Sequence, residues 1–386
     1  MRYRAAGLFF LALLVGMESL ATEHRLVVHE WGTFTSIAGA NGASLEWCPL
    51  DGPRDLPRFV YDIGSRQSPK IDRRARIRME TPVLYFYSPK DTSVSVQVSF
   101  PQGHITEWYP RARLSGRGID WGSIQVLPGS TPELPLEPEA NHYYAARQTE
   151  AAPIHVSESG EYEKFLFYRG LGTFDLPIAV RPAGDKVVVR RVGAVHQAIL
   201  FENRGGCVGY GIHDLGGYNE AALERPRLEG SLPALRRDLA KLLVNHGLYP
   251  KEAEAMIDTW RDSWFEEGIR VFYMIPQEIT AKILPLTIQP QPAELVRVLV
   301  GRIEILTPEM EREIERAIVA LGHSSAEVRE LAIATLRRYG RYGQPVIERL
   351  LQGGSLLDSG QAIPSAREIA GYLANRPTAH KQGDRR

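Results

Sequence analysis

Between residues 83 and 100 the chain changes its hydrophobic period. Val83-Leu84-Tyr85-Phe86-Tyr87 is apolar without interruption, whereas Val94, Val96, Val98 and Phe100 alternate with Ser95, Gln97 and Ser99. An unbroken apolar run of β-formers reads as a strand covered on both faces, and strict alternation as a strand with one wet face. A chain holding both must stack layers on a sheet. The turns Ser88-Pro89-Lys90-Asp91 and Pro101-Gln102-Gly103 lead on to residues 104–109 and predict a three-stranded meander.

The same signals continue over 124–127, 165–168, 186–192, 198–202 and 207–212, with a Pro- and Glu-bearing surface loop over 127–139. The expectation is a sandwich-like, β-rich domain over 22–215. Helical spacing begins after Gly216. Leu232, Leu235 and Leu239 form one stripe, and Ala253, Met256, Ile257, Trp260 and Trp264 form a second behind Pro250. Strands return over 270–275 and 294–306, making 216–306 an α/β segment that packs on the first domain. In the last strand the apolar set moves from Val296, Val298 and Val300 to Ile303 and Ile305, which predicts a β-bulge at Gly301. Thr307-Pro308 then caps a helical part over 307–377, where residues 325–336 read as one HEAT-like unit. The tail 378–386 reads as disordered. The fold class expected is α+β.

The first residues carry the succession of a secretory leader: Arg2 and Arg4, an apolar run from Ala5 to Met17, and small residues at Ser19 and Ala21. Cleavage near Ala21 puts the mature chain in the periplasm or outside the cell, with no further apolar stretch long enough to span a bilayer. Lys+Arg and Asp+Glu both number 46, so no global field favours nucleic acid. The only cysteines, Cys48 and Cys207, either pair in that oxidising compartment or stand as separate thiols.

Three segments are distinctive. They are Val28-His29-Glu30-Trp31-Gly32-Thr33-Phe34-Thr35-Ser36, Glu80-Thr81-Pro82-Val83-Leu84-Tyr85-Phe86-Tyr87 and Trp260-Arg261-Asp262-Ser263-Trp264-Phe265-Glu266-Glu267-Gly268. Through them the chain resembles a family of exported bacterial proteins that share a His-Glu-Trp-Gly-Thr-Phe motif. The resemblance implies export from a bacterial cell and carries no activity with it.

No nucleophile elbow, phosphate loop, EF-hand loop or complete dinucleotide fingerprint is present. His29-Glu30 lacks the second histidine of the zinc motif His-Glu-x-x-His and lies in a strand-like segment. Strand alternation places His29 with Trp31 and turns Glu30 the other way, unless the strand breaks at Gly32. In a structural role, His29 finds one hydrogen-bond partner beside Trp31, and Glu30 pairs with an arginine on a neighbouring strand. In a functional role, His29, Glu30, Glu80 and Glu107 supply a hydrolase with acid and base groups. Alternatively, His29, His104 and His142, with His155 nearby, bind a divalent metal such as zinc. Trp31, Trp108, Tyr143 and Arg147, with Tyr109 and Tyr144, are candidates to line a groove for an envelope carbohydrate or peptide. The charged residues Arg261, Asp262, Glu266 and Glu267 read as a solvated helix face. The leading expectation is a cell-envelope binding or interaction module, and the second a metal- or carboxylate-dependent hydrolase of an envelope polymer.

Overall fold

The computed structural model describes residues 25–50, 55–63, 74–352 and 369. The expected leader, the expected tail and the helical expectation beyond 352, Ile369 apart, lie outside the described residues. The fold is α+β, with about 40% strand and 25% helix. Its centre is a nine-stranded sheet. Across it the neighbours run Cys207–Asp214, Gln197–Arg204, Gly268–Ile275, Glu294–Ile305, Val27–Ala38, Ile77–Tyr87, Leu166–Gly172, Gly103–Tyr109 and Tyr61–Asp62. The two strands from after residue 215, Gly268–Ile275 and Glu294–Ile305, lie side by side between earlier strands, so the expected 22–215 domain and 216–306 segment share one sheet.

Strand Val27–Ala38 lies at the middle because nearly every residue in it is buried. It pairs in parallel with Glu294–Ile305 and antiparallel with Ile77–Tyr87. One face of the sheet is covered by a six-stranded and a three-stranded sheet, with Val28, Phe34, Leu84, Val96, Trp121 and Ile303 among the core between the layers. The other face carries helices Leu232–Asn245 and Pro250–Trp264, whose apolar stripes meet Trp31, Val83, Phe167 and Val300. Further along that face, helices Pro308–Ala320, Ala326–Tyr339 and Gln344–Gln352 close a separate small core over Ile37 and Trp47. Thr307 and Ser325 cap the first two of these helices through their hydroxyls.

Two sequence expectations need correction. Residues 83–109 do not form a meander. Strand Thr92–Ser99 leaves for the six-stranded sheet, where it pairs with Gly118–Val126, while its sequence neighbours stay in the central sheet. Its alternation is genuine, since one of its faces covers the core and the other is wet. Nor is there a bulge at Gly301: register with both neighbours runs straight through it. The apolar set seemed to switch parity because Arg302 and Glu304 continue the face of Val298 and Val300, and those charges are buried and paired. Gly301 has a different purpose. A Cβ there would lie 2.1 Å from the ring of Tyr273, which is itself fully buried. Gly301→Ala is expected to cost about 1–3 kcal/mol through overpacking, read as a lower denaturation midpoint at unchanged slope.

The real irregularity faces Gly32. Strand 27–38 does not end there; register with Ile77–Tyr87 shifts between Trp31 and Thr33, where Thr81 and Pro82 together oppose the single Gly32, one extra residue on the partner. Thr81 has φ +48°, a genuine outlier for a β-branched residue, and Gly32 leaves room for the Pro82 backbone 3.0 Å from its missing Cβ.

Candidate functional site

The expected site residues separate into three places. His29 and Trp31 point together into the helix-covered core, and Glu30 turns into the sandwich core. Glu30 lies opposite Arg297 in register and accepts its Nε–H at 2.5 Å and the Tyr168 hydroxyl at 2.5 Å. It is therefore apart from Glu80 and Glu107, and the acid–base set His29, Glu30, Glu80 and Glu107 is not brought together.

His29 is 1% exposed, and its partner is Glu252, at 2.8 Å from Nδ1, on helix Pro250–Trp264 rather than Glu80 or His104. Glu252 is itself fully buried. Its carboxylate also accepts the Tyr87 hydroxyl at 2.7 Å and the Tyr249 backbone N–H at 2.7 Å, capping the helix. The His29 ring packs on Tyr249 at 4.4 Å between centroids, and the buried Nε2 has no hydrogen-bond partner among the described residues.

The second place is a belt of buried charge across the central sheet, between the two helix-covered cores. Arg270 and Arg302 meet Glu304 at 2.8 and 2.7 Å, and Arg302 also holds Glu266 at 3.0 Å. Glu266 thus belongs to this interior and not to a solvated helix face. Beside Thr35, which donates to Glu80 at 3.1 Å, Arg78 approaches Glu80 at 3.6 Å. Next along the belt, the buried Arg169 holds Asp55 at 2.8 Å and lies 3.4 Å from His142 Nε2, with Glu107 opposite it in register. Glu107 also accepts from the Thr106 hydroxyl.

Belt electrostatics follow from these contacts. Desolvation works against an ionised Asp55, but the Arg169 and Arg78 guanidiniums override it and hold the carboxyl well below the usual range. Burial, assisted by Arg169, pushes His142 down to about 4 despite Asp55, leaving a neutral ring as acceptor for Arg169. Because the folded pKa lies below the unfolded value near 6.5, the unfolded chain takes up the proton first as pH falls. The contribution of His142 to stability is present above that value and is lost as the pH drops toward 4. His142→Gln should flatten the stability profile between pH 6.5 and 4 by about 1–2 kcal/mol, allowing for partial exposure of the ring. Chemical denaturation at a series of pH values measures it.

A one-residue slip of any belt strand would carry its charges into the apolar sandwich core, so the belt fixes register across the sheet. It contains Glu80, Glu107 and His142 of the expected residues, and its arginines and Asp55 were not anticipated. A legible signal existed: Arg78-x-Glu80 and Arg302-x-Glu304 place opposite charges on one strand face inside otherwise buried strands.

The proposed metal set is not assembled. His29 is with Glu252, His142 with Arg169, and His104 lies opposite Leu171 in strand Gly103–Tyr109; His155 stacks on Tyr162. Among the described residues no three His, Cys, Asp or Glu side chains converge to hold a metal ion. Cys48 and Cys207 are not bonded to each other; Cys207 is exposed at the start of its strand. The expected groove residues are interior. Trp31, Trp108 and Tyr143 are buried, and Arg147 grips Glu163 through two N–H groups, at 2.9 and 2.6 Å, beneath the Tyr144 ring.

The third place is open. A cleft of about 410 Å³ runs between the 127–139 loop and the strand end at Tyr87. Pro128, Pro132 and Leu134 form one wall, and Tyr87, Ala151 and Pro153 the other, with Lys164 and Glu150 at its polar end. Tyr87 joins this cleft to the buried Glu252–His29 pair, and burial together with the Glu252 carboxylate holds its phenol far above the ordinary range. The surface loop of the sequence is thus a wall of this cleft. Compared with known protein families and with curated proteins, the chain matches none.

Proposed function

We propose that this is an exported bacterial cell-envelope protein that acts as a binding module and takes an extended carbohydrate or peptide ligand in the cleft beside Tyr87. The observation that carries the reading is the contrast between the cleft and the interior. The buried carboxylates of the belt, the His29 pair and the Glu30 pair face structural partners, whereas the cleft offers apolar walls and a charged end to solvent. A volume of 300–1,000 Å³ with few polar groups is what small-ligand sites require. The leader expected at residues 1–21 and the resemblance to an exported family support that compartment.

Co-sedimentation of the purified mature protein with bacterial cell-wall sacculi tests it. The expected result is pelleting with the wall material that is lost in Thr131→Trp, which fills the cleft from its exposed rim. Equal pelleting of both proteins, or none by the wild type, would overturn the assignment of the cleft.

A further inference from the structure

We infer that the cleft takes a peptide whose free carboxylate is received by Lys164, an inference that rests on the cleft being the ligand site. Both serine hydroxyls that line the cleft already donate to backbone carbonyls, and the Tyr87 hydroxyl donates to Glu252. Ser88 Oγ donates to the Lys90 carbonyl at 2.6 Å, and Ser130 Oγ to the Leu127 carbonyl at 2.9 Å. A carbohydrate needs several such groups aimed at its ring edges. A peptide of small residues needs instead apolar walls and a place for its terminal charge.

Charge selects which terminus. Lys164 Nζ spends one of its three N–H donors on the Thr149 carbonyl, at 2.7 Å. Carboxylates within reach are committed elsewhere. Glu150 is held by Lys251 at 2.6 Å, and Glu163 is buried beneath Arg147, with the Lys164 backbone N–H and the Tyr143 hydroxyl also donating to it. The polar end of the cleft therefore carries an ammonium in excess. Burial lowers the proton affinity of Lys164; Glu163 and, more weakly, Glu150 oppose this, and Lys251 adds to it. A carboxylate laid against Nζ relieves that desolvation and replaces lost water by a charge-assisted hydrogen bond. The wall formed by Pro128, Pro132 and Leu134 receives apolar side chains.

The experiment uses a randomised N-acetyl tetrapeptide library, prepared once as free acids and once as C-terminal amides, passed over the immobilised mature protein. Mass spectrometry should find free acids retained at least about tenfold over amides, as one charge-assisted contact provides. Lys164→Met should bring acids down to the level of amides, and Thr131→Trp should remove both. Equal retention of acids and amides by the wild type, or retention of neither, would overturn the carboxylate assignment. The cleft itself is judged separately: if sacculi still pellet with the wild type and not with Thr131→Trp, the site stands and only the ligand class fails.

Discussion

Glu252→Ala is expected to lower the unfolding free energy by about 3–5 kcal/mol, the range for removing one partner of a buried, hydrogen-bonded charge. The alanine strands three donors at once: the Tyr87 hydroxyl, the Tyr249 backbone N–H and His29 Nδ1. His29 and Glu252 are at most 1% exposed, so the histidine donor is left buried without an acceptor. Glu252→Gln keeps the volume and one carbonyl acceptor and should cost only about 1–2 kcal/mol. Equilibrium urea unfolding separates the two; equal losses would mean that packing, not hydrogen bonding, dominates at this helix start. The loss should be accompanied by weaker ligand binding, since Tyr87 lines the cleft and is positioned by this carboxylate.

The second large effect is at Glu30. Glu30→Met leaves the Arg297 guanidinium, 3% exposed, without its counter-charge between two packed sheets, and should also cost about 3–5 kcal/mol. Replacing both residues by methionine removes the uncompensated charge and fills the space with apolar atoms. The double variant is therefore expected to be more stable than Glu30→Met alone, by about 2 kcal/mol or more. Its residual loss comes from the Tyr168 hydroxyl and the Leu284 carbonyl, which lose a partner each. A double variant no better than the single one would show that Arg297 contributes through more than its pair with Glu30. The cycle is read from denaturation midpoints at constant slope.

Local periodicity in this sequence maps well onto elements, because each element buries a face. The alternation at Val94–Val98, the Leu235–Leu239 stripe and the Trp260–Trp264 stripe all mark residues that the structure packs. Strand alternation also placed His29 and Glu30 on opposite faces and gave Glu30 an arginine on the adjoining strand, as the structure has it. Pairing order was not legible. Thr92–Ser99 follows its neighbours in sequence but joins another sheet, a choice made by contacts far along the chain. Charge misled where burial was complete. Arg302 and Glu304 look like a wet face, and only the presence of Arg270 and Glu266 nearby makes them interior. The candidate groove aromatics lie inside for a related reason: Trp31, Trp108 and Tyr143 are apolar enough to be core, and the sequence does not record which aromatics a neighbouring helix or sheet will cover. Lys164 carried no signal at all, since its environment is assembled from residues 87–88, 128–134 and 149–153.

Protection of Lys164 from an amine-selective acylating reagent tests the occupation of the cleft most directly. Quantitative peptide mass spectrometry would follow Lys164 and Lys186, which sits in the three-stranded sheet away from the cleft, with and without solubilised cell-wall fragments. The fragments are expected to slow labelling of Lys164 by about tenfold or more at saturation, to leave Lys186 unchanged, and to lose their effect in Thr131→Trp. Labelling of Lys164 at the same rate with and without the fragments would contradict that occupation.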